Sequence, residues 1–230
     1  MDVSNFSQKK SEVFCQEKKK SRLNFQKTIF MKKIVSTLFS LLLFVGVATA
    51  QIADKAENIS PLLIGEKIPE TTLTTTKGEN VQLSKIISEK PSVVVFYRGG
   101  WCPFCNMHLA EIGKIEKEIL DLGYQIIAIS PDDYVNLQNT SESGKLNYQL
   151  FSDAKGELLK ATGIAFQLPP KYKEYLPTKT KGKVTEVLPV PTLMVLDKKG
   201  TILFEYINPD FKQRIPGKLL LSVLKNLEIK

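Results

Sequence analysis

The feature that most constrains this chain is the order of residue types between positions 92 and 123. Ser92-Val93-Val94-Val95-Phe96-Tyr97 is β-branched and apolar at successive positions, the pattern of a strand covered on both faces. Gly99-Gly100 ends it, and Cys102-Pro103-Phe104-Cys105 follows after Trp101. Apolar residues then recur at Leu109, Ile112, Ile115, Ile119 and Leu122, steps of three and four that mark one helix face, closed by Gly123. A buried strand turning directly into a helix puts both thiols at the helix start. Proline is harmless there, because the first N–H groups of a helix have no intrahelical acceptor.

The remaining segments complete one layered domain. Residues 71–76 and 81–83 flank Lys77-Gly78 and predict a hairpin. Residues 124–129 predict a second buried strand, 132–144 a short helix, 149–152 a weaker strand and 157–162 another helix. Residues 191–196 and 201–206 flank Asp197-Lys198-Lys199-Gly200 as a second hairpin, and Leu219, Leu220, Val223, Leu224 and Leu227 line a closing amphipathic helix. Residues 166–189, rich in Pro, Lys and Tyr and without clear periodicity, read as an insertion or long loop. The order β-α-β-α-β-β-α implies an α/β domain over 61–230, a mixed central sheet flanked by helices.

The net charge of +8 does not belong to that domain. Residues 1–50 hold nine Lys/Arg and three Asp/Glu, leaving 23 and 21 for the rest, so no nucleic-acid surface is expected. Met31-Lys32-Lys33, a nearly continuous apolar run over 34–47 and Ala48-Thr49-Ala50 have the build of a cleavable signal peptide over 31–50. The run falls short of the roughly 20 residues of a spanning helix, so no stable membrane insertion is expected after cleavage. Secretion across the inner membrane, to the periplasm, is the expected route. Residues 1–30, polar and Lys-rich, read as a non-native or disordered extension before a start at Met31, and residues 51–60 as a polar tether.

Cleavage after Ala50 removes Cys15 and leaves Cys102 and Cys105. A bridge across two intervening residues closes too small a loop to staple a fold, so the pair is expected to be reactive. Zinc sites use the same spacing, but two Cys and the single His leave the fourth ligand to a carboxylate. At a helix start, free N–H groups and the dipole favour thiolate over thiol, with pKa values of roughly 3.5–7.5.

Tyr97-Arg98-Gly99-Gly100-Trp101-Cys102-Pro103-Phe104-Cys105 resembles the active-site segment of the peroxiredoxin-like branch (alkyl hydroperoxide reductase/thiol-specific antioxidant) of the thioredoxin superfamily. The first hairpin, the 152–158 segment and the 197–200 turn look like that family's landmarks, so the resemblance spans about residues 61–228. It implies a thioredoxin-like fold and an antioxidant oxidoreductase. Its catalytic residues would be Cys102 and Cys105, its electron donor a thioredoxin-like protein, with no metal or organic cofactor. Val190-Pro191-Thr192 resembles the loop where thioredoxins set a cis-proline against the dithiol; the alternative is a proline opening an edge strand.

The pattern also departs from both families. Peroxiredoxins usually place Thr or Ser three residues before the peroxide-reacting cysteine, which puts Cys105 at the reacting position and Cys102 at the hydroxyl position. Thioredoxin logic makes Cys102, first and more exposed, the attacker. The peroxiredoxin arginine near the Pro191 loop has no evident counterpart, and the thioredoxin buried carboxylate is replaced by Phe96. Arg98 is placed to lower a thiolate pKa or bind a peroxide oxygen, against an ordinary surface arginine. Trp101 fits a partner surface or a packing role. His108 is expected as a partly exposed structural residue rather than a proton carrier, and Tyr172, Tyr175 and the lysines of 171–183 as a solvated loop. Two functions follow: reduction of hydroperoxides recycled by a thioredoxin-like donor, or protein disulfide exchange without significant peroxidase activity.

Overall fold

The computed structural model describes residues 52–180 and 186–227. Cys15, the signal-peptide segment and the expected start at Met31 lie outside the described residues. Seven strands form one sheet: β1 (Thr72–Thr75), β2 (Asn80–Gln82), β3 (Ser92–Phe96), β4 (Gln125–Ser130), β5 (Gln149–Ser152), β8 (Thr192–Leu196) and β9 (Ile202–Ile207). Their spatial order is β2-β1-β5-β4-β3-β8-β9. β6 (Ala165–Gln167) and β7 (Val187–Pro189) pair separately. The helices are α1 (Leu83–Ile87), α2 (Pro103–Lys114), α3 (Glu116–Asp121), α4 (Tyr134–Gly144), α5 (Glu157–Ala161), α6 (Pro170–Lys179) and α7 (Gly217–Asn226).

The β-branched run becomes the middle of the sheet. β3 pairs in parallel with β4 and antiparallel with β8, so the sheet is mixed. Alternation along β3 sends Val93 and Val95 to one face and Val94 and Phe96 to the other, all at most 1% exposed. The first face packs on Leu109 and Ile112 of α2, Ile119 of α3, Leu137 of α4 and Leu220 and Leu224 of α7. The second packs on Leu83, Ile86 and Ile87 of α1 and Leu158 and Leu159 of α5. Two cores on one sheet therefore hold the C-terminal end of β3, where the dithiol follows.

At the end of β5, buried Asp153 accepts the N–H groups of Glu157 and Leu159, both at 2.9 Å, covering orphan donors at the start of α5. Burial pushes its carboxyl up to about 6 against the pull of those donors. Asp153→Ala is expected to cost about 1–2 kcal/mol, read as a lower urea midpoint with an unchanged slope.

Three expectations are corrected. Residues 51–60 are not a free tether: Ala53 bridges to Phe166, its carbonyl accepts the Gln167 N–H at 2.8 Å, and Ala56–Asn58 forms a 3-10 turn. The described parts of 166–189, residues 166–180 and 186–189, are not a loop. β6 and β7 close a two-stranded ladder, and Phe166, Leu168, Leu176, Leu188 and Val190 build a third small core with α6 above it. The helix after the dithiol breaks at Ile115, φ −106° and ψ 9°, two residues beyond the weak helix former Gly113. α3 thereby buries Ile119 while Lys117 and Glu118 stay exposed.

Candidate active site

Cys102 is the N-cap of α2, in extended conformation, with Pro103 next to it at the first helical turn. Its carbonyl accepts the N–H groups of Cys105 at 3.0 Å and Asn106 at 3.1 Å, and its own N–H closes a turn onto the Gly99 carbonyl at 3.1 Å. Gly99 has φ +138°, and a Cβ there would stand 2.3 Å from Trp101 Nε1 and 2.8 Å from Asp132 Oδ1, so the turn admits no larger residue. The Gly100 N–H donates to Asp132 Oδ2 at 2.7 Å, and Asn106 Nδ2 donates to the Gly100 carbonyl at 2.8 Å. Both cysteines are free thiols and each is 1% exposed. Exposure therefore does not separate them, contrary to the thioredoxin expectation of a more open Cys102.

Electrostatics does separate them. Cys102 is brought down to about 6, first by the Cys105 thiol donating to its sulfur, then by the Cys105 backbone N–H and the charges of Arg98 and Arg214; burial opposes the shift. Cys105 is pushed well above the ordinary thiol range, chiefly by burial, then by its donation to Cys102 and that neighbour's charge. The arrangement makes Cys102 the thiolate and Cys105 the proton-bearing partner.

Arg214 is the residue that sequence reasoning missed. It follows β9, its Nη2 lies 3.7 Å from Cys105 Sγ, and its Nη1 is held by the Phe211 and Gln213 carbonyls. Arg214 lies 23 residues beyond Pro191 in the sequence, yet its side chain reaches the dithiol. A signal existed: residues 51–230 contain only two arginines, Arg98 and Arg214, among 23 basic residues. Both converge on the dithiol. Guanidinium keeps its charge when buried far better than ammonium does.

Arg98 is 3% exposed, so it is no ordinary surface arginine. Its guanidinium stacks over Phe211 at 4.5 Å, Tyr172 at 4.9 Å and Trp101 at 5.0 Å. Trp101, half-buried, packs on Tyr172 at 5.6 Å and Tyr175 at 6.3 Å, so α6 forms one wall beside the dithiol instead of a solvated loop. Pro191 lines the same cleft as Arg98 and Tyr172. No cis peptide occurs among the described residues, so the Val190–Pro191 bond is trans and the thioredoxin cis-proline is not reproduced. His108 is buried rather than partly exposed, and burial, with Arg214 second, lowers it to about 4, leaving it neutral near pH 7. A buried carboxyl does stand near the dithiol, but on the loop after β4: Asp132 is raised to about 6 by burial, offset in part by the Gly100 N–H. Among the described residues no cluster of three or more His, Cys, Asp or Glu is placed to hold a metal, and no helix is long and apolar enough to cross a membrane.

A dithiol at the start of a helix behind the central strand of a mixed sheet defines the thioredoxin-fold class of redox proteins. The chain belongs to the AhpC/TSA family, whose model matches residues 64–204. It is similar to the chloroplastic peroxiredoxin Q of Suaeda salsa, 29% identical over 174 residues, covering 76% of this chain and 72% of that protein. The thiol-disulfide oxidoreductase ResA of Bacillus cereus is 22% identical over 198 residues, 86% and 94% of the two chains. A prostamide/prostaglandin F synthase of Salmo salar is 31% identical over 92 residues; the match spans 40% of this chain and 46% of that protein, under half its length. The fold is shared with peroxidoxin BcpB of Mycobacterium tuberculosis, TM-score 0.59 at 20% identity over 72% of this chain and 97% of that one. The protein is accordingly a thiol-based oxidoreductase of this family.

Proposed function

We propose that the protein reduces hydroperoxides through Cys102 and Cys105 and is recycled by a thioredoxin-like donor. The observation that carries this reading is the convergence of Arg98 and Arg214 on a dithiol already biased toward a Cys102 thiolate. The thiolate attacks the terminal oxygen of the hydroperoxide. An S–O bond forms, the O–O bond breaks, and the released alkoxide takes up a proton and leaves as an alcohol. Two fixed positive charges lower the energy of the anion developing on that oxygen. The Cys105 sulfur then displaces the sulfenic hydroxyl, giving the Cys102–Cys105 disulfide and water. A dithiol donor reduces the bridge and is itself oxidised.

Protein disulfide exchange is the second reading, and the helix-start C-x-x-C pair next to Trp101 favours it. The same Cys102 thiolate would attack a partner disulfide, and Cys105 would release the mixed disulfide. Single-turnover mixing of the reduced protein with hydrogen peroxide and, separately, with a protein disulfide such as insulin distinguishes the two. Peroxide reduction predicts oxidation by hydrogen peroxide much faster than that of a free cysteine. Slow reaction with peroxide beside rapid exchange with insulin would assign the second reading. The signal-like build of residues 31–50 supports a periplasmic site of action.

A further inference from the structure

The cleft that Arg98 shares with α6 is larger than a hydrogen peroxide molecule needs. It encloses about 420 Å³, within the range of sites that hold small organic molecules. Arg98 lines it together with Phe166, Leu168, Tyr172, Pro191 and Phe211. Three aromatic rings cover the faces of the guanidinium, which leaves its N–H edge as the part that still needs an acceptor. Arg98 Nε is buried without a hydrogen-bond partner, and no carboxylate lies within ion-pair distance of Arg98 among the described residues. A desolvated cation with a vacant donor in an apolar cleft is costly unless an anion reaches it. Cys102 answers that need poorly, since sulfur is a weak acceptor and takes its hydrogen bonds from Cys105.

We infer that this cleft is a binding site for an anionic amphiphile, a carboxylate on an unbranched apolar body. The carboxylate sits on the N–H edge of Arg98, and the body lies along Phe166, Leu168 and Pro191. Rim lysines Lys55 and Lys171 favour the approach of such an anion, while Asp54 and Glu57 keep the rim from being uniformly basic. Occupancy also reaches the chemistry. The guanidinium that receives the carboxylate helps hold Cys102 as thiolate, so a bound anion offsets its field and makes Cys102 harder to ionise. That second effect rests on the redox reading of Cys102; the binding itself does not.

The probes are decanoate and, as its neutral control, 1-decanol. Each is titrated into the reduced protein at neutral pH while the fluorescence of Trp101, the single tryptophan of the chain, is followed. Decanoate is expected to bind about tenfold or more tighter than decanol, the advantage of a charge-assisted contact. Arg98→Gln is expected to remove that preference. Ala56→Phe fills the cleft from its wall, leaves Arg98 in place and is expected to abolish binding of both. Equal affinity for the two probes, no response to either, or a decanoate preference that survives Arg98→Gln overturns the site. If Arg98→Gln does not fold, the wild-type comparison and Ala56→Phe still decide it. Absence of peroxide reduction would overturn the proposed reaction and leave these titrations unchanged.

Discussion

Cys102→Ser is expected to abolish turnover, by roughly a thousandfold or more, because it removes the thiolate that opens the cycle. Cys105→Ser is expected to behave differently. Its first step survives, since the serine hydroxyl can donate to the Cys102 sulfur in place of the Cys105 thiol, and the backbone N–H of residue 105 and the charges of Arg98 and Arg214 remain. The sulfenic acid then has no neighbouring thiol, so it accumulates and is trapped by dimedone, while steady turnover stops. The opposite pattern, with the first step lost in Cys105→Ser and kept in Cys102→Ser, would follow if Cys105 attacks as the peroxiredoxin alignment suggests. Burial and its own donation to Cys102 oppose that assignment, because both hold the Cys105 proton in place.

Gly163→Ala is expected to destabilise the fold by roughly 2–4 kcal/mol. Gly163 has φ +70°, which costs an L-residue about 1–2 kcal/mol. A Cβ there would also stand 1.9 Å from the Ser60 carbonyl oxygen, and a backbone atom yields far less readily than a side-chain tip. The neighbouring Leu62 N–H to Thr162 carbonyl bond of 3.1 Å would be strained as the two segments part. Urea unfolding gives the loss, and limited proteolysis is expected to cut residues 52–62 in the variant before the rest of the domain. Were that stretch a free tether, only the conformational cost would appear.

The redox site was legible because its signals are local. Five apolar residues at helical spacing, a β-branched strand and a proline between two cysteines are each read within a short window. Arg98, Trp101 and Pro191 were placed by the same window or by resemblance; Arg98 and Trp101 stand beside the dithiol, and Pro191 lines the cleft that Arg98 also lines. What was not legible depends on contacts between distant segments. Phe166 and Leu188 pair across a ladder interrupted by some twenty residues, and α6 buries only Leu176, with Pro177 inside it, so no amphipathic pattern marks it. Residues 52–60 look like a tether by composition; they are held by the Gln167 N–H on the Ala53 carbonyl and by Ile52, Ala53, Ala56 and Ile59 packing on cores built from distant segments, with no periodicity to mark it. Arg214 is far from the cysteines in sequence, and only the scarcity of arginine beside abundant lysine pointed to it.

The measurement that tests the dithiol most directly is a pH titration of thiolate absorbance in the reduced protein, with Cys102→Ser as the reference. One thiolate is expected to appear with a midpoint near about 6 and to vanish in Cys102→Ser, while Cys105 stays protonated through neutral pH. Reactivity should then be lost as pH falls through that midpoint and be nearly constant above it. Two thiols titrating together near the ordinary value of about 8.5, or a low midpoint that persists in Cys102→Ser, would contradict the assignment.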